Sequence, residues 1–211
     1  MDDIVKRAIQ KWPNVPNVFG WLRLDRRGNW WIKSRLVKSR QTREGAPLFD
    51  RITNGAVIEF IGRNYQSDDR GRWFFQNGPQ RVFVTLESTP FIYRLRGEGA
   101  GVEAHTGATA TELRSAWLDE AGQLLLETDL GIGLLLDRDL QAVEKRISGA
   151  EGAPLAEHAL EALVSGSVDA PPAYLTLAGA RLRIGRIAPG ELTGRFGFDP
   201  SPRPAPGEPE C

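Results

Sequence analysis

Asp68-Asp69-Arg70-Gly71-Arg72-Trp73 opens one of the most apolar runs of the chain and has the pattern Asp-x-x-Gly-x-apolar. The same pattern occurs at residues 25–30 and 119–124, each time before an apolar run. Asp favours the first position of a type I turn, and Gly supplies the left-handed residue that closes a bulged hairpin. Each copy is therefore predicted to join two antiparallel strands.

The apolar runs around these turns predict the strands themselves. Downstream of Trp73, the dipeptide Asn77-Gly78 marks a further turn, and residues 81–87 alternate as a strand with one fully buried face does. Other predicted strands lie at residues 19–24 and 30–33, 91–96, 115–118 and 124–127, 134–136, and 174–177 and 181–184. The chain is predicted to be a series of β-hairpins.

Four short helices are predicted between these strands. They cover residues 2–12, residues 55–64 with Asn54 as cap and Tyr65 on the apolar side, residues 137–147 and residues 155–164. The polar stretch from Arg35 to Arg43 has no apolar period and predicts a loop.

These elements predict an α+β fold, mainly antiparallel sheet, with two similar β-rich lobes and a few short helices. The N-terminal lobe is predicted at residues 14–80 and the C-terminal lobe at residues 81–187. Five of the ten residues from 200 to 209 are proline, so residues 188–211 are predicted to be a proline-rich tail outside the fold.

The amino-acid composition limits the kinds of metal, redox and membrane chemistry to expect of this chain. The sole cysteine of the 211 residues is Cys211, and there are two histidines, so no internal disulfide, no metal site and no cofactor are expected. No apolar run approaches the roughly 20 residues that span a bilayer, and the acidic start lacks the pattern of a secretory signal. We therefore expect a cytoplasmic protein without membrane contacts.

The charges are unevenly distributed although the net charge is zero. Residues 1–96 carry 18 Lys or Arg and 9 Asp or Glu, and the remaining residues carry the reverse. Two halves of opposite sign could attract each other, or the basic half could face an anionic partner.

The candidate binding residues lie in polar clusters between apolar elements. Arg63 and Arg81 could pair with a phosphate or carboxylate, Tyr65 and Trp73 could stack on a ring, and Gln80 and His105 could donate hydrogen bonds. The alternative is that Asn77-Gly78 is simply a hairpin turn and Arg81 an outward strand residue. No nucleophile elbow, Walker loop or zinc-protease motif is present, so no catalytic residue is assigned.

Tryptophans interleave with arginines in the first half of the sequence, for example at Trp30, Trp31 and Trp73. Such interleaving occurs on single-strand nucleic-acid platforms. Tryptophans beside β-turns more often fill a small sheet core, with arginines on the wet face, so no nucleic-acid partner is expected.

Several of these segments, taken in order, resemble a bacterial family. They are Gly28-x-Trp30, an apolar helix near Phe49 to Ile61, Asp69-x-Gly71-Arg72-Trp73-Phe74, Arg81-Val82-x-Val84-x-Leu86-Glu87 and Pro90-Phe91. Over residues 18–147 the chain resembles an uncharacterised domain-of-unknown-function family. It departs from that family in the turn at residues 77–81 and in the extension after about residue 150.

The resemblance implies a duplicated β-rich core with a pleckstrin-homology-like C-terminal half. It also implies a small, nucleotide-like ligand bound between the halves, in signalling, and no enzymatic activity. The leading hypothesis is thus a non-catalytic module for an anionic or nucleotide-like ligand. One alternative is an enzyme acting on a phosphorylated metabolite, with His105 or a carboxylate as base. Another is a protein-interaction scaffold that uses sheet edges or the tail.

Overall fold

The computed structural model describes residues 1–34, 48–97, 101–188 and 190–208. The chain forms two compact units, the first from Met1–Ser88 with Gly197–Cys211 and the second from Thr89–Phe196. The polar stretch predicted as a loop at Arg35–Arg43 lies outside the described residues.

The first unit contains a six-stranded sheet. Its strand order is β3-β2-β1-β6-β5-β4, with β1 and β6 parallel and the other neighbours antiparallel. Its elements are α1 (Asp3–Lys11), β1 (Val18–Leu24), β2 (Trp30–Lys33), β3 (Phe49–Arg51), α2 (Gly55–Arg63), β4 (Tyr65–Ser67), β5 (Trp73–Asn77) and β6 (Gln80–Leu86).

The second unit contains a nine-stranded sheet. Its elements are β7 (Phe91–Arg96), β8 (Gly101–Ala104), β9 (Thr109–Ala110), β10 (Leu113–Leu118), β11 (Leu124–Thr128), β12 (Ile132–Leu135), α3 (Leu140–Glu144), β13 (Ile147–Ser148), α4 (Glu157–Ser165), β14 (Tyr174–Leu177), β15 (Ala180–Arg186) and α5 (Glu191–Phe196). Its strand order is β13-β14-β15-β10-β11-β12-β7-β8-β9. The pairs β10–β15 and β12–β7 are parallel.

The predicted fold class is confirmed: the protein is α+β, with two β-rich lobes that are mainly antiparallel and carry a few short helices. The parallel pairs were not predicted, because hairpin signals are local and a parallel pair joins strands that are distant in sequence.

All three Asp-x-x-Gly turns form hairpins with the same hydrogen bonds. In each, the Asp carboxylate accepts from the amides two and four residues later, and the Gly amide donates to the Asp carbonyl. Each glycine has a left-handed φ between 72° and 80°. The turns connect β1 to β2, β4 to β5, and β10 to β11. The Asp side chain therefore accepts hydrogen bonds from turn amides for which the tight turn supplies no backbone acceptor.

Three local predictions differ from the structure. Tyr65 begins β4 instead of extending the preceding helix, which ends at Arg63. The helix predicted at residues 137–147 is reduced to a 3-10 turn and α3, and Ile147 starts β13 because it pairs with Leu175. Phe83 is buried in the middle of β6, so this strand is covered on both faces there.

The division between units also differs from the sequence-based one. The predicted boundary after Gln80 falls within β6. Residues on both sides of that boundary belong to one sheet, since Phe83 of β6 pairs with Phe74 of β5. The two units divide after Ser88. The proline-rich segment predicted to lie outside the fold instead belongs partly to the first unit. There the carbonyl of Pro200 accepts from Leu86 at 2.8 Å, and Phe198 is buried.

A buried arginine of the second turn, Arg72, forms an ion pair with the C-terminal proline-rich segment. The Arg72 guanidinium pairs with Asp68 at 2.8 Å and with Glu208 at 2.7 Å, and it lies 4.5 Å from the ring centroid of Phe83. The hydrogen bonds from Arg72 lower the pKa of the Glu208 carboxyl to about 2. We call the trio Arg72, Asp68 and Glu208 the arginine clasp.

No helix among the described residues has both the length and the hydropathy needed to cross a lipid bilayer.

Candidate functional site

Tyr65 and Trp73, predicted as stacking residues, are in contact with each other inside the first unit. Their ring centroids are 4.8 Å apart, and Tyr65 also meets the ring of the buried Trp30 edge-on at 5.3 Å. Burial raises the pKa of Tyr65 well above its ordinary value. The rings pack on one another, as the core interpretation of the tryptophans expects.

The predicted polar residues of the first unit each have a partner in their own unit. Arg63 pairs with Asp2 at 3.3 Å, and the Gln80 amide donates to the carbonyl of Pro16 at 3.0 Å. Arg81 is exposed on β6. Its guanidinium lies 4.7 Å from the ring centroid of Phe74 on β5. The hairpin turn of the alternative interpretation is present, with Gly78 and Pro79 connecting Asn77 of β5 to Gln80 of β6.

His105 lies in the second unit, away in sequence from the other five. Its Nδ1 accepts a hydrogen bond from the Ile92 amide at 3.3 Å, and its ring centroid is 6.1 Å from that of Phe91. Of the six predicted residues, the structure thus places five in the first unit and His105 in the second. Their role in ligand binding stays a prediction.

A cavity of about 600 Å³ in the second unit has chemistry that fits an anion. We call it the basic cavity. It lies along the parallel pair β10–β15, and the loop that leads from α4 to β14 forms part of its lining. Its lining contains three arginines, two serines and a tryptophan, and no carboxylate: Arg114, Ser115, Trp117, Leu163, Ser167, Ala170, Pro171, Pro172, Ala173, Arg183, Ile184, Gly185 and Arg186.

Trp117 is held in position from several sides. Its Nε1–H donates to Ser115 Oγ at 2.6 Å, and the Ser115 hydroxyl donates to Glu127 at 2.5 Å. Gly185 is its partner on β15, and a Cβ there would lie 2.6 Å from the indole ring. Glycine at position 185 therefore lets the indole lie flat against the neighbouring strand.

The three arginines of the basic cavity are in different electrostatic situations. Arg186 donates to the carbonyls of Leu163 and Val164, each at 2.9 Å, at the negative end of the α4 dipole. Arg114 pairs with Glu112 on the surface at 3.2 Å. The side chain of Arg183 is exposed and makes no ion pair or hydrogen bond with any residue that the structure describes, although its backbone pairs with Tyr174 of β14. Arg183 is therefore the cation that is available to an anionic ligand.

A second cavity of the same unit, of about 700 Å³, has the opposite character. We call it the acidic cavity. Its lining combines aliphatic side chains with three glutamates: Leu118, Gly122, Leu124, Leu140, Gln141, Val143, Glu144, Ile147, Glu157, Leu160, Glu161, Leu163, Val164 and Ser165.

The first unit has a smaller cavity, of about 470 Å³, and several of the side chains that line it contact each other. Arg23 lies 3.8 Å from the ring centroid of Phe49, and the indole Nε1–H of Trp31 donates to Asp25 at 2.9 Å. The described part of the chain has no group of three or more His, Cys, Asp or Glu placed to hold a metal ion.

Sequence reasoning missed the basic cavity, although one local signal was present. In Arg181-Leu182-Arg183-Ile184 the arginines alternate with buried residues, so they share one face of β15. The decisive step is the parallel pairing of Trp117 with Gly185, residues 68 positions apart in sequence. No local pattern indicates that pairing.

Two solved structures are similar to this chain. A crystal structure of a DUF1285 family protein from Silicibacter pomeroyi DSS-3 has a TM-score of 0.45 and 13% identity, covering 87% of this chain and 94% of that one. Another, from Shewanella baltica OS155, has a TM-score of 0.38 and 14% identity, covering 57% of this chain and 87% of that one. The curated proteins contain no match.

A protein-family model matches nearly the whole chain. The model of family DUF2944, described as "Protein of unknown function (DUF2946)", matches residues 1–203. The matched range includes both sheets and the arginine of the clasp. The chain therefore belongs to this family of proteins of unknown function.

Proposed function

We propose that the protein is a non-catalytic module that binds a small anionic ligand carrying a planar ring, such as a nucleotide, in the basic cavity. The observation that carries the proposal is the lining of this cavity, which has three arginines and a tryptophan but no carboxylate. Its volume of about 600 Å³ lies within the range of roughly 300–1,000 Å³ that is typical of small-molecule sites.

Arg183 supplies the group that recognises the charge. A guanidinium offers several donors in a fixed plane and pairs with phosphate or carboxylate through two parallel hydrogen bonds. Because the Arg183 side chain has no partner among the described residues, a ligand would not have to displace an existing ion pair. Arg186 adds positive charge at the same edge while its Nη1 stays hydrogen-bonded to α4.

Trp117 supplies an apolar surface for the planar part. The indole is positioned by Ser115 and by the bare backbone of Gly185, so little side-chain freedom would be lost when a ring packs on it. Arg195 lies 4.0 Å from the indole centroid, so a ligand ring that stacks on this face of Trp117 would have to replace the guanidinium of Arg195. Base rings stack on aromatic side chains with about 1–3 kcal/mol per base.

Binding is favoured over catalysis because the lining of the basic cavity has no histidine, cysteine or carboxylate. Those are the side chains that most often act as general bases or nucleophiles near neutral pH. The enzyme alternative therefore keeps its sequence-based candidate, His105, which does not line this cavity.

The sheet edges give little support to the alternative of a protein-interaction scaffold. The edge strands β3, β4, β9 and β13 have two or three residues each, and short edges are poor templates for strand addition. A regulatory or signalling role, a cytoplasmic location and a ligand site between the two lobes stay predictions.

The test is a thermal-shift and calorimetric titration with adenosine 5′-monophosphate, adenosine and inorganic phosphate. We expect the monophosphate to bind more tightly than adenosine or phosphate alone, because it alone offers both the ring and the charge. At a hundredfold excess over Kd the ligand should raise Tm by about 5 °C or more. The variant Arg183→Ala should weaken binding about tenfold or more, since it removes a charge-assisted pair.

Arg81→Ala is the matched control, because Arg81 is also an exposed arginine on a strand. An unchanged affinity in this variant together with a loss in Arg183→Ala would support the basic cavity. If Arg81→Ala loses binding and Arg183→Ala does not, the ligand occupies the site predicted from the sequence. No saturable response to any of the three compounds at millimolar concentration would refute the proposal.

A further inference from the structure

Residues 197–208, which we call the C-terminal segment, bind to the rest of the first unit through their main chain. The Asp199 amide donates to the carbonyl of Gly71 at 2.9 Å, and the Leu86 amide donates to the carbonyl of Pro200 at 2.8 Å. Residues 72 and 199 form an isolated parallel β-bridge. Main-chain hydrogen bonds of this kind are those by which a sheet takes up an extended peptide.

Gly71 lets the C-terminal segment approach closely. A Cβ at position 71 would collide with the carbonyl oxygen of Gly197 and would lie 3.0 Å from the Cα of Phe198. Within the segment, Phe198 and Pro202 are buried, whereas Ser201 and residues 203 and 206 are exposed. Buried anchor residues separated by exposed ones are typical of a peptide that binds along a protein surface.

Arg72 contacts both the main chain and a side chain of the C-terminal segment. Its Nη1–H donates to the carbonyl of Arg203 at 3.1 Å. Its two Nη atoms also donate to the two carboxylate oxygens of Glu208, at 2.7 and 3.1 Å, and Asn17 donates to the same carboxylate at 2.8 Å. A bidentate pair between guanidinium and carboxylate fixes both position and orientation. The first unit thus offers a largely buried place for one peptide carboxylate.

The C-terminal segment is stiff and presents its carboxylate in advance. Every second residue from 200 to 206 is proline, and proline restricts φ to values of the polyproline II helix. Residues 205–208 form a turn in which the Glu208 amide donates to the carbonyl of Ala205 at 2.9 Å, and Gly207 has a φ of 80°, as in a type II turn. The Ala205 amide also donates to the Glu208 carboxylate at 2.9 Å. Little conformational freedom is therefore lost when such a segment binds.

We propose that Asn17, Gly71, Arg72 and Leu86 form a docking surface for an extended, proline-rich peptide of a partner protein that carries a carboxylate. The C-terminal segment is the built-in occupant of this docking surface and regulates access to it. Terminal segments open locally at a lower free-energy cost than the whole unit. A tethered occupant competes at an effective concentration in the millimolar range, so a partner peptide binds well only when the segment is loosened. This proposal concerns the first unit and is independent of anion binding at the basic cavity.

The test measures binding of a fluorescent peptide, with the sequence of residues 197–208, to the full chain by fluorescence anisotropy. The double variant Phe198→Ala/Glu208→Gln weakens the tethered competitor and leaves the docking surface unchanged. We expect it to bind the peptide about tenfold or more tightly than the original chain. Ser201→Ala, at an exposed residue of the segment, is the control and should bind the peptide as weakly as the original chain does.

Substitutions in the peptide test the carboxylate without altering the fold of the chain. Glu208→Gln in the peptide should weaken binding to the double variant about tenfold or more, because the charge-assisted pair with Arg72 is lost. Asp199→Asn in the peptide removes the same charge from a side chain that accepts from Ser201 within the segment. It is the matched control and should bind as the unsubstituted peptide does.

The original chain provides a measurement that does not depend on the folding of a variant. With the peptide at millimolar concentration, hydrogen exchange should become faster in residues 198–208 of the chain, because the peptide displaces them. The Leu86 amide should stay protected, because the peptide supplies the carbonyl that Pro200 supplied. If the double variant is unfolded by circular dichroism, this exchange measurement decides the question.

Three results would overturn the proposal. The first is the absence of both saturable binding to the folded double variant and displacement in the original chain. The second is equal affinity for the Glu208→Gln and Asp199→Asn peptides. The third is a concentration-dependent dimer in size-exclusion chromatography that the peptide dissolves, because a second copy would then supply the segment in place of a partner protein.

Discussion

Arg72 lies in the second Asp-x-x-Gly turn, and its guanidinium contacts one carboxylate of the same turn and one from a distant part of the chain. Asp68 is a residue of the same turn, whereas Glu208 is 136 positions away. The Arg72 side chain is 9% exposed, so its charge needs both partners. One buried residue thereby connects a local turn to the C-terminal segment of the first unit.

The Glu208 carboxyl should make the stability of the first unit depend on pH. Its pKa falls from 4.5 to about 2 because Arg72 donates hydrogen bonds to the ionised form. A lowered folded-state pKa stabilises the fold above the unfolded-state pKa, and the contribution disappears as pH falls through 4.5 to about 2. We expect Glu208→Gln to lower the free energy of unfolding by about 1–2 kcal/mol at pH 7, after allowance for solvent screening.

Urea unfolding at pH 7, 4 and 2.5 measures this effect. The gap in unfolding free energy between the original chain and Glu208→Gln should narrow as the pH is lowered. Glu120→Gln, an exposed residue of the third turn, is the control and should show no gap at any pH. A gap of constant size across this range would contradict the assigned pKa.

At the scale of the elements, the three Asp-x-x-Gly turns share their hydrogen bonds but differ in what surrounds them. In the second turn, a Cβ at Gly71 would collide with the carbonyl oxygen of Gly197. Gly20 in β1 also has a left-handed φ, yet it has no atom within 4 Å of an added Cβ. Comparing alanine variants at Gly71 and Gly20 therefore separates the cost of a left-handed φ from the cost of the collision with Gly197.

We expect Gly71→Ala to destabilise the first unit more than Gly20→Ala. Both variants place alanine at φ near +70°, which costs about 1–2 kcal/mol. Gly71→Ala must also move the segment around Gly197, which should add about 1–3 kcal/mol. Chemical denaturation of the two variants side by side gives the difference; equal losses would show that the contact with Gly197 is unimportant.

At the scale of the whole molecule, the C-terminal segment follows the second unit in sequence and belongs to the first unit. Pro200 accepts from Leu86, the Asp199 amide donates to Gly71 at 2.9 Å, and Phe198 is buried. The first unit is thus made of two pieces of chain that lie 108 residues apart in sequence.

Deleting residues 198–211 should therefore weaken the first unit and leave the second intact. Hydrogen exchange read by mass spectrometry should show faster exchange in β6 and in the turn at residues 68–73, because both lose partners. Exchange in β10–β12 of the second unit should stay as it was. A shorter deletion, of residues 209–211, keeps every contact described above and is the control. Unchanged exchange after the longer deletion would restore the sequence-based prediction of a tail outside the fold.

The sequence by itself determined the hairpins and most helices, because their signals are local. An Asp carboxylate accepts from amides within four residues, and Asn54 accepts from Val57 at the start of α2, as predicted. The same local reasoning failed at Ile147, because its partner Leu175 is distant in sequence. It also failed at Tyr65, which was assigned to the preceding helix although it pairs with Phe75 across the second turn.

Tertiary structure alone decided which side chains line a common cavity. The basic cavity needs β10 beside β15, and the acidic cavity needs α3 and α4 against the third hairpin. The six residues predicted as a site were chosen for charge, hydrogen bonding or ring stacking, and the structure shows Tyr65 and Trp73 in contact with each other in the first unit. Polarity and turn chemistry are properties of a short segment, whereas a cavity is a property of segments that only the folded chain brings together.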